Sequence, residues 1–242
     1  MSLVTKAVTL AAGRGTRMGE LTEDCPKPML PLGGRPMLAH QIERLEAAGI
    51  REVLIVIGYK GQMVRDYFAQ HPPAQARVEY AVQEVADGTG SAAKLARDFA
   101  AGDPFLMVYG DNLVEPAVYQ ALLEQAAGAE MVLAVKHVED PYQGAAVYVD
   151  GDRVTRIIEK PPQGTSTTNW VNAGIYVFQP SIFTELDRLV LSPRGEYELT
   201  DAVHSVIASG KPVAWRPIEG YWRDVGRPED LSSATEFVGG GD

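Results

Sequence analysis

The feature that most constrains the fold is a strict alternation along the first half of the chain. Short apolar runs rich in Val, Ile and Leu alternate with longer amphipathic stretches. The runs are "KAVTLAA" (Lys6 to Ala12), "EVLIVIGY" (Glu52 to Tyr59), "RVEYAVQ" (Arg77 to Gln83), "PFLMVYGD" (Pro104 to Asp111) and "EMVLAVK" (Glu130 to Lys136). Each is bounded by Gly, Pro or charged residues, as expected of strands buried on both faces. Between the first two, "PMLAHQIERLEAAG" (Pro36 to Gly49) places Leu38, Ile42 and Leu45 on one helical face. A proline suits its first turn and a glycine its end. "GQMVRDYFAQ", "SAAKLARDFAA" and "EPAVYQALLEQAAG" fill the later gaps in the same way. The alternation predicts a parallel sheet with crossover helices through about residue 135.

After Lys136 the pattern changes. "GAAVYVDGDRVTRIIEKPP" reads as two strands joined at "DGD", and "NWVNAGIYVFQP" as another strand. Helices return at "SIFTELDRLV", "YELTDAVHSVIASG" and "RPEDLSSATEFV", and the closing "GGGD" reads as a frayed tail. No repeat or long Ser/Gly linker divides the chain. The expectation is one α/β domain over residues 1–242, in three α/β/α layers around a mostly parallel sheet, with a β-rich elaboration beyond residue 135.

Composition narrows the function. A formal charge of −10 argues against a nucleic-acid-binding surface, so any bound phosphate should be small and held locally. The single cysteine, Cys25, excludes an internal disulfide and suits a reducing compartment. The first apolar segment is too short for a signal peptide, and no apolar run is long enough to span a bilayer. These features point to the cytoplasm, with no membrane partner.

Against that negative background, "LAAGRGTRMGELTEDCPKPMLP" (Leu10 to Pro31) concentrates glycine and fixed positive charge directly after the first strand. That is the carboxyl edge of the sheet, where open α/β folds bind ligands. Glycines there expose backbone N–H groups to phosphate oxygens. The dinucleotide fingerprint would need a third glycine where Met18 stands, and the Gly-Lys-Ser/Thr of an NTPase phosphate loop is missing. Pro26 and Pro28 flank Lys27 and favour extended backbone around it, which lowers the entropy cost of engaging a phosphate. On the residues alone, Arg14, Arg17 and Lys27 could equally decorate a solvated turn.

The match continues, in order, over most of the chain. "LAAGRGTRM" and "PKPMLPLGGRPML" are followed by "QEVADGTGSA", "YGDN", "IIEKP", "NAGIYVF" and "YWRDVGRPEDL". The set resembles the signature of the sugar-1-phosphate nucleotidylyltransferases, enzymes with a Rossmann-like fold that make nucleotide sugars. "GTGSA" is similar to the N-acetylglucosamine-type uridylyltransferases and "WRDVG" to the hexose thymidylyltransferases. No hexapeptide repeats follow, so the acetyltransferase half of bifunctional relatives is not expected.

The resemblance implies that UTP or dTTP reacts with a sugar-1-phosphate, glucose or N-acetylhexosamine favoured, to give an NDP-sugar and pyrophosphate. CTP or GTP with another sugar or alcohol phosphate is the alternative. A catalytically inactive module on the same fold is a third reading, and its mark would be loss of Arg17, Lys27, Asp111 or Asp224. A phosphate monoester has a second pKa of about 6, so the nucleophile is mostly dianionic at neutral pH and needs no general base. Catalysis then reduces to positioning and charge neutralisation.

By the same resemblance, Arg17 and Lys27 hold the triphosphate and Lys160 the sugar phosphate. The nucleotide side takes Leu10, Ala11, Ala12, Gly13, Gly15, Thr16, Gln83, Gly88 and Thr89. The sugar side takes Gly144, Glu159 and Asn172. Gln83 offers a donor and an acceptor to a pyrimidine edge. Magnesium is expected on Asp111 and Asp224, hard carboxylate ligands whose shell phosphate and water would complete. Taken singly, Asp111 could instead cap the helix at "EPAVYQALL", Asp224 could be a turn residue, and "GTG" a plain helix entry. Self-association into a homo-oligomer is left open. His40, His71, His137 and His204 show no metal-ligand spacing, and Trp170, Trp215 and Trp222 read as core or pocket wall.

Overall fold

The computed structural model describes residues 4–240. In chain order the elements begin with β1 (Lys6–Ala11), two 3-10 turns (Thr16–Thr22 and Lys27–Met29), a short hairpin of β2 (Pro31–Leu32) and β3 (Arg35–Pro36), and α1 (Met37–Ala47). There follow β4 (Glu52–Ile57), α2 (Gly61–Gln70), β5 (Arg77–Val82), α3 (Thr89–Lys94), α4 (Arg97–Ala100), β6 (Phe105–Tyr109), β7 (Asn112–Val114) and α5 (Pro116–Gln125). The remainder is β8 (Met131–His137), β9 (Ala145–Asp150), β10 (Arg153–Glu159), β11 (Trp170–Phe178), α6 (Ile182–Asp187), α7 (Leu199–Ala208), β12 (Val213–Pro217), β13 (Trp222–Asp224) and α8 (Asp230–Gly239). The last residues of the expected frayed tail, 241–242, lie outside the described residues.

Nine strands form one sheet in the order β5-β4-β1-β6-β11-β8-β12-β10-β9. Strand residues alternate between two cores, as the two-residue period of a strand requires. Val8, Leu54, Val56, Phe105 and Met107 face one core, which α3, α6 and α7 cover. Ala7, Val53, Ile55, Leu106 and Val108 face the other, under α1, α2 and α5. Leu38, Ile42 and Leu45 are buried on one face of α1, as their spacing predicts. A third, smaller cluster joins α8 through Ala234 to Leu32, Met37, Leu113 and Val225.

The expected run of parallel strands to residue 135 is corrected in one respect. β5, β4, β1 and β6 are parallel neighbours. β11, however, enters antiparallel between β6 and β8, pairing Ile175 with Val108 and Tyr176 with Leu133. Apolar periodicity marks a strand but carries no information on its neighbours, so this insertion left no local trace. Further strands were not expected. β12 lies parallel beside β8, although only Val213 within it is buried. β7 and β13 form a separate antiparallel ribbon. The stretch read as one helix from Ser91 is divided into α3 and α4.

Candidate active site

The carboxyl end of β1 opens into a cleft of about 1340 Å³. Gly13 and Gly15 lie in the turn leaving the strand, and they differ in role. A Cβ at Gly13 would meet nothing within 4 Å, so its backbone is bare toward open space. Gly15 has φ +72, and a Cβ there would sit 2.6 Å from the Lys27 Cβ. Only glycine permits both that conformation and that approach. Thr22 Oγ1 closes the turn by donating to Gly15 O at 3.1 Å.

Pro26 is extended, with ψ 143, but Lys27–Met29 form a 3-10 turn, so the extended backbone expected at Lys27 stops one residue earlier. The turn fixes Lys27 all the same. Its side chain is 8% exposed, and Nζ lies 2.5 Å from Asp111 Oδ2 and 3.6 Å from Asp224 Oδ1.

The two carboxylates meet because β7 pairs with β13, with Asn112 opposite Asp224, while Val225 N–H donates to Asp111 O at 3.0 Å. This disposes of both local alternatives: Glu115, not Asp111, precedes α5, and Asp224 lies in a strand rather than a turn. Asp224 keeps 43% of its side chain accessible, yet its Oδ1 is covered and accepts no hydrogen bond. Burial and the adjacent Asp111 push the Asp224 carboxyl up to about 6, against the pull of Lys27 and Arg17. Arg17 flanks the same spot: a Cβ at Gly226 would lie 3.7 Å from its Nη1 and 3.6 Å from Asp224 Oδ1. It makes no ion pair within 4 Å to a described carboxylate, so its charge faces the cleft.

Gln83 follows β5, and its Nε2 donates to Gly88 O at 2.9 Å and Ser91 Oγ at 3.0 Å. The donor half of the amide, expected to meet a base, is therefore committed inside the protein. Gly88 has φ +122, and a Cβ there would lie 2.4 Å from Tyr197 O. Gly90 N–H donates to Tyr197 O at 2.7 Å. The glycines of "GTG" thus answer to this close backbone approach as well as to the cleft. Thr89 Oγ1 accepts from Leu199 N at 3.1 Å and so satisfies a free N–H at the start of α7.

At the far end, Lys160 adopts φ 41, a conformation that lysine seldom takes, and its N–H donates to Gly144 O at 3.0 Å. Glu159 Oε2 accepts from Thr200 Oγ1 at 3.0 Å. The Asn172 amide is used within β11: Nδ2 donates to the Tyr176 hydroxyl at 2.5 Å, and Oδ1 accepts from Gly174 N at 3.1 Å. These bonds hold the irregularity in register between Asn172 and Tyr176.

Every residue expected from the sequence lines this one cleft: Leu10, Ala11, Ala12, Gly13, Gly15, Thr16, Arg17, Lys27, Gln83, Gly88, Thr89, Asp111, Gly144, Glu159, Lys160, Asn172 and Asp224. Sequence reading missed Arg194, Glu198 and Thr200, which line it too. Glu198, 6% exposed, accepts from Arg194 Nη2 at 2.7 Å and Ser192 Oγ at 3.0 Å. All three lie in "SPRGEYELT", the loop that leads into α7 and its first residues, where nothing local marks a cleft-facing group. The histidines are structural where their contacts are defined: His40 is buried with Nε2 2.9 Å from Leu32 O, and His137 packs edge-on against Trp170.

Fold and cleft together define an α/β protein whose cationic, glycine-rich turn meets two carboxylates at the carboxyl edge of the sheet. The chain matches the Nucleotidyl transferase family over residues 6–240 and belongs to that family. The UTP–glucose-1-phosphate uridylyltransferase AglF of Haloferax volcanii is 34% identical over 238 residues, covering 96% of this chain and 95% of that protein. The bifunctional protein GlmU of Methanococcus maripaludis is 37% identical over 229 residues, 94% of this chain and 53% of GlmU. The chain thus spans about half the length of the GlmU proteins it matches. Its fold is that of a solved UDP-glucose pyrophosphorylase complexed with UDP-glucose, with a TM-score of 0.88, 22% identity, and coverage of 99% of this chain and 100% of that one.

Proposed function

We propose that this chain joins a sugar-1-phosphate to UTP or dTTP, forming an NDP-sugar and releasing pyrophosphate. The observation that carries the reading is the buried Lys27 ammonium set between Asp111 and Asp224, with Arg17 alongside, at the glycine-rich end of β1. AglF, a UTP–glucose-1-phosphate uridylyltransferase, aligns over almost the whole of both chains and supports the same substrates here. Residues 1–135 supply most of the nucleotide side and residues 136–242 most of the sugar side, Asp224 excepted.

In this reading an oxygen of the sugar phosphate attacks the nucleotide α-phosphorus in line, and pyrophosphate leaves. Arg17 and Lys27 bind the triphosphate and take up charge that builds on the leaving group. Lys160 holds the attacking phosphate, and Glu159, oriented by Thr200, accepts from sugar hydroxyls. Gln83 and the Gly88 turn receive the base.

Enzymes of this family generally use a divalent metal, and Mg2+ is the ion proposed here. Two carboxylates, one with a covered oxygen lacking a donor, fit a hard cation that shares its shell with phosphate and water. Asp111 and Asp224 would hold it, and when bound it neutralises phosphate charge. No described helix is long and apolar enough to cross a membrane, and we place the enzyme in the cytoplasm.

A panel of nucleoside triphosphates and sugar-1-phosphates, read by pyrophosphate release with Mg2+, tests the proposal. Release with UTP or dTTP and a hexose-1-phosphate is expected. GTP or CTP turning over faster than both at matched subsaturating concentrations overturns the base assignment, and no release from any pair overturns the activity.

A further inference from the structure

The Gln83 amide is not free to choose its orientation. Its terminal nitrogen faces Gly88 O at 2.9 Å and Asp87 Oδ1 at 3.3 Å, two atoms that can only accept. An oxygen in that place would meet two oxygens with no proton between them, so the nitrogen must stand there. Ser91 Oγ, 3.0 Å from the same nitrogen, completes the set. A hydroxyl has one proton, and here its partners are Asp87 Oδ1 and Gly88 O, both acceptors. Toward Gln83 it can therefore only accept. Both amide protons are consumed inside the turn. Gln83 Oε1 accepts from no described residue and is not among the buried, unpartnered side-chain oxygens, so it is accessible, and Gln83 lines the cleft.

We infer that Asp87 is a specificity-positioning residue: by engaging the Ser91 proton and facing the Gln83 nitrogen, it locks Gln83 as an acceptor-only reader of the base. The inference rests on the proposed function, in which the base lies at Gln83. Uracil and thymine present N3–H to such an acceptor, whereas cytosine presents a lone pair at N3, which an oxygen repels. A Gln83 free to rotate could turn its nitrogen outward and accept cytosine. The lock removes that option, so selectivity arises through a residue that need not touch the nucleotide.

The test compares kcat/KM for UTP, dTTP and CTP in four proteins: wild type, Gln83→Ala, Asp87→Ala and Asp87→Asn. Asp87→Ala removes the carboxylate and leaves intact the backbone bond from Tyr197 N to Asp87 O at 2.8 Å. With Gly88 O still facing the nitrogen, it should lower the ratio of the better of UTP and dTTP to CTP by about threefold, mainly by a gain on CTP. Asp87→Asn can still present an oxygen to Ser91 and should restore most of the ratio. A merely structural role would depress all three nucleotides together and leave the ratio unmoved. If Gln83→Ala lowers the ratio but Asp87→Ala does not, the lock is wrong while the base reading stands. If Gln83→Ala leaves the ratio unchanged, Gln83 does not read the base and the lock falls with it.

Discussion

The two ends of the cleft are built by different means. At the phosphate end two charges are held by packed backbone: Lys27, 7% exposed, sits in a 3-10 turn packed against Gly15, and Asp111 follows a strand whose Phe105, Leu106, Met107 and Val108 are all buried. At the sugar end Glu159 closes β10, and Lys160 and Arg194 lie in loops. Lys160 is exposed, Arg194 is 43% accessible, and Glu159 is held by a hydrogen bond from Thr200 and an ion pair with Arg194 at 4.0 Å. A buried charge fixed by packed neighbours costs little further ordering when ligand arrives, whereas an exposed, loop-borne charge still has entropy to lose. In the proposed reaction, the triphosphate therefore meets a rigid, preorganised end and the sugar phosphate an adaptable one. The division suits chemistry at the α-phosphorus and variation in the sugar.

The largest effect should come from breaking the rigid end. Asp111→Asn or Asp224→Asn should each reduce Mg2+-supported turnover by roughly a hundredfold or more, the equivalent of several kcal/mol of charge stabilisation. Steady-state assays with controlled free Mg2+ measure this, and full activity in both variants would sink the metal assignment.

The sharpest contrast lies between the two lysines. Lys27→Ala should impair nucleotide handling, lowering kcat and kcat/KM for NTP by more than about tenfold, and it leaves Asp111 without its close cation. Lys160→Ala should raise the KM for sugar phosphate by about tenfold and leave that for NTP near its original value. Should both variants shift the KM of one substrate and spare the other, the cleft does not divide in this way.

The smallest effect tests how far the sugar end depends on one hydrogen bond. Thr200→Val keeps the shape of a nearly buried side chain and removes the donor to Glu159 Oε2. At about 0.5–1.5 kcal/mol, the sugar-phosphate KM should rise roughly two- to tenfold with the melting temperature little changed. A larger loss shared with NTP would mean that Thr200 supports the whole cleft.

Much of this organisation was legible before any coordinates. β1, β4, β6 and β8 appear as apolar runs because a strand covered on both faces needs an apolar residue at nearly every position, whereas β5, expected to be buried on both faces, is an edge strand with no buried residue. The glycine-rich turn was legible because it directly follows β1, and Asp111 because a carboxylate ends an otherwise buried strand. The loop carrying Arg194 and Glu198 was not, since its residues are ordinary surface types whose meaning depends on where the loop lands.

What the sequence determined by itself is local: which segments extend, which coil, where they stop, and which charged residues stand at the stops. Propensity, periodicity and turn chemistry act over a few residues and can be read in one dimension. The tertiary structure alone decided the placement of β11 between β6 and β8, the pairing of β7 with β13, and the amide orientation of Gln83. Each depends on groups far apart in the chain or on competition among acceptors in space. Lys27 and Asp111 are 84 residues apart in sequence and 2.5 Å apart in the fold, and Asp224 joins them through a ribbon only three residues long on each side. A ribbon that short has no period to detect. It forms because the sheet and the cluster around Leu32, Leu113 and Val225 bring its two strands together.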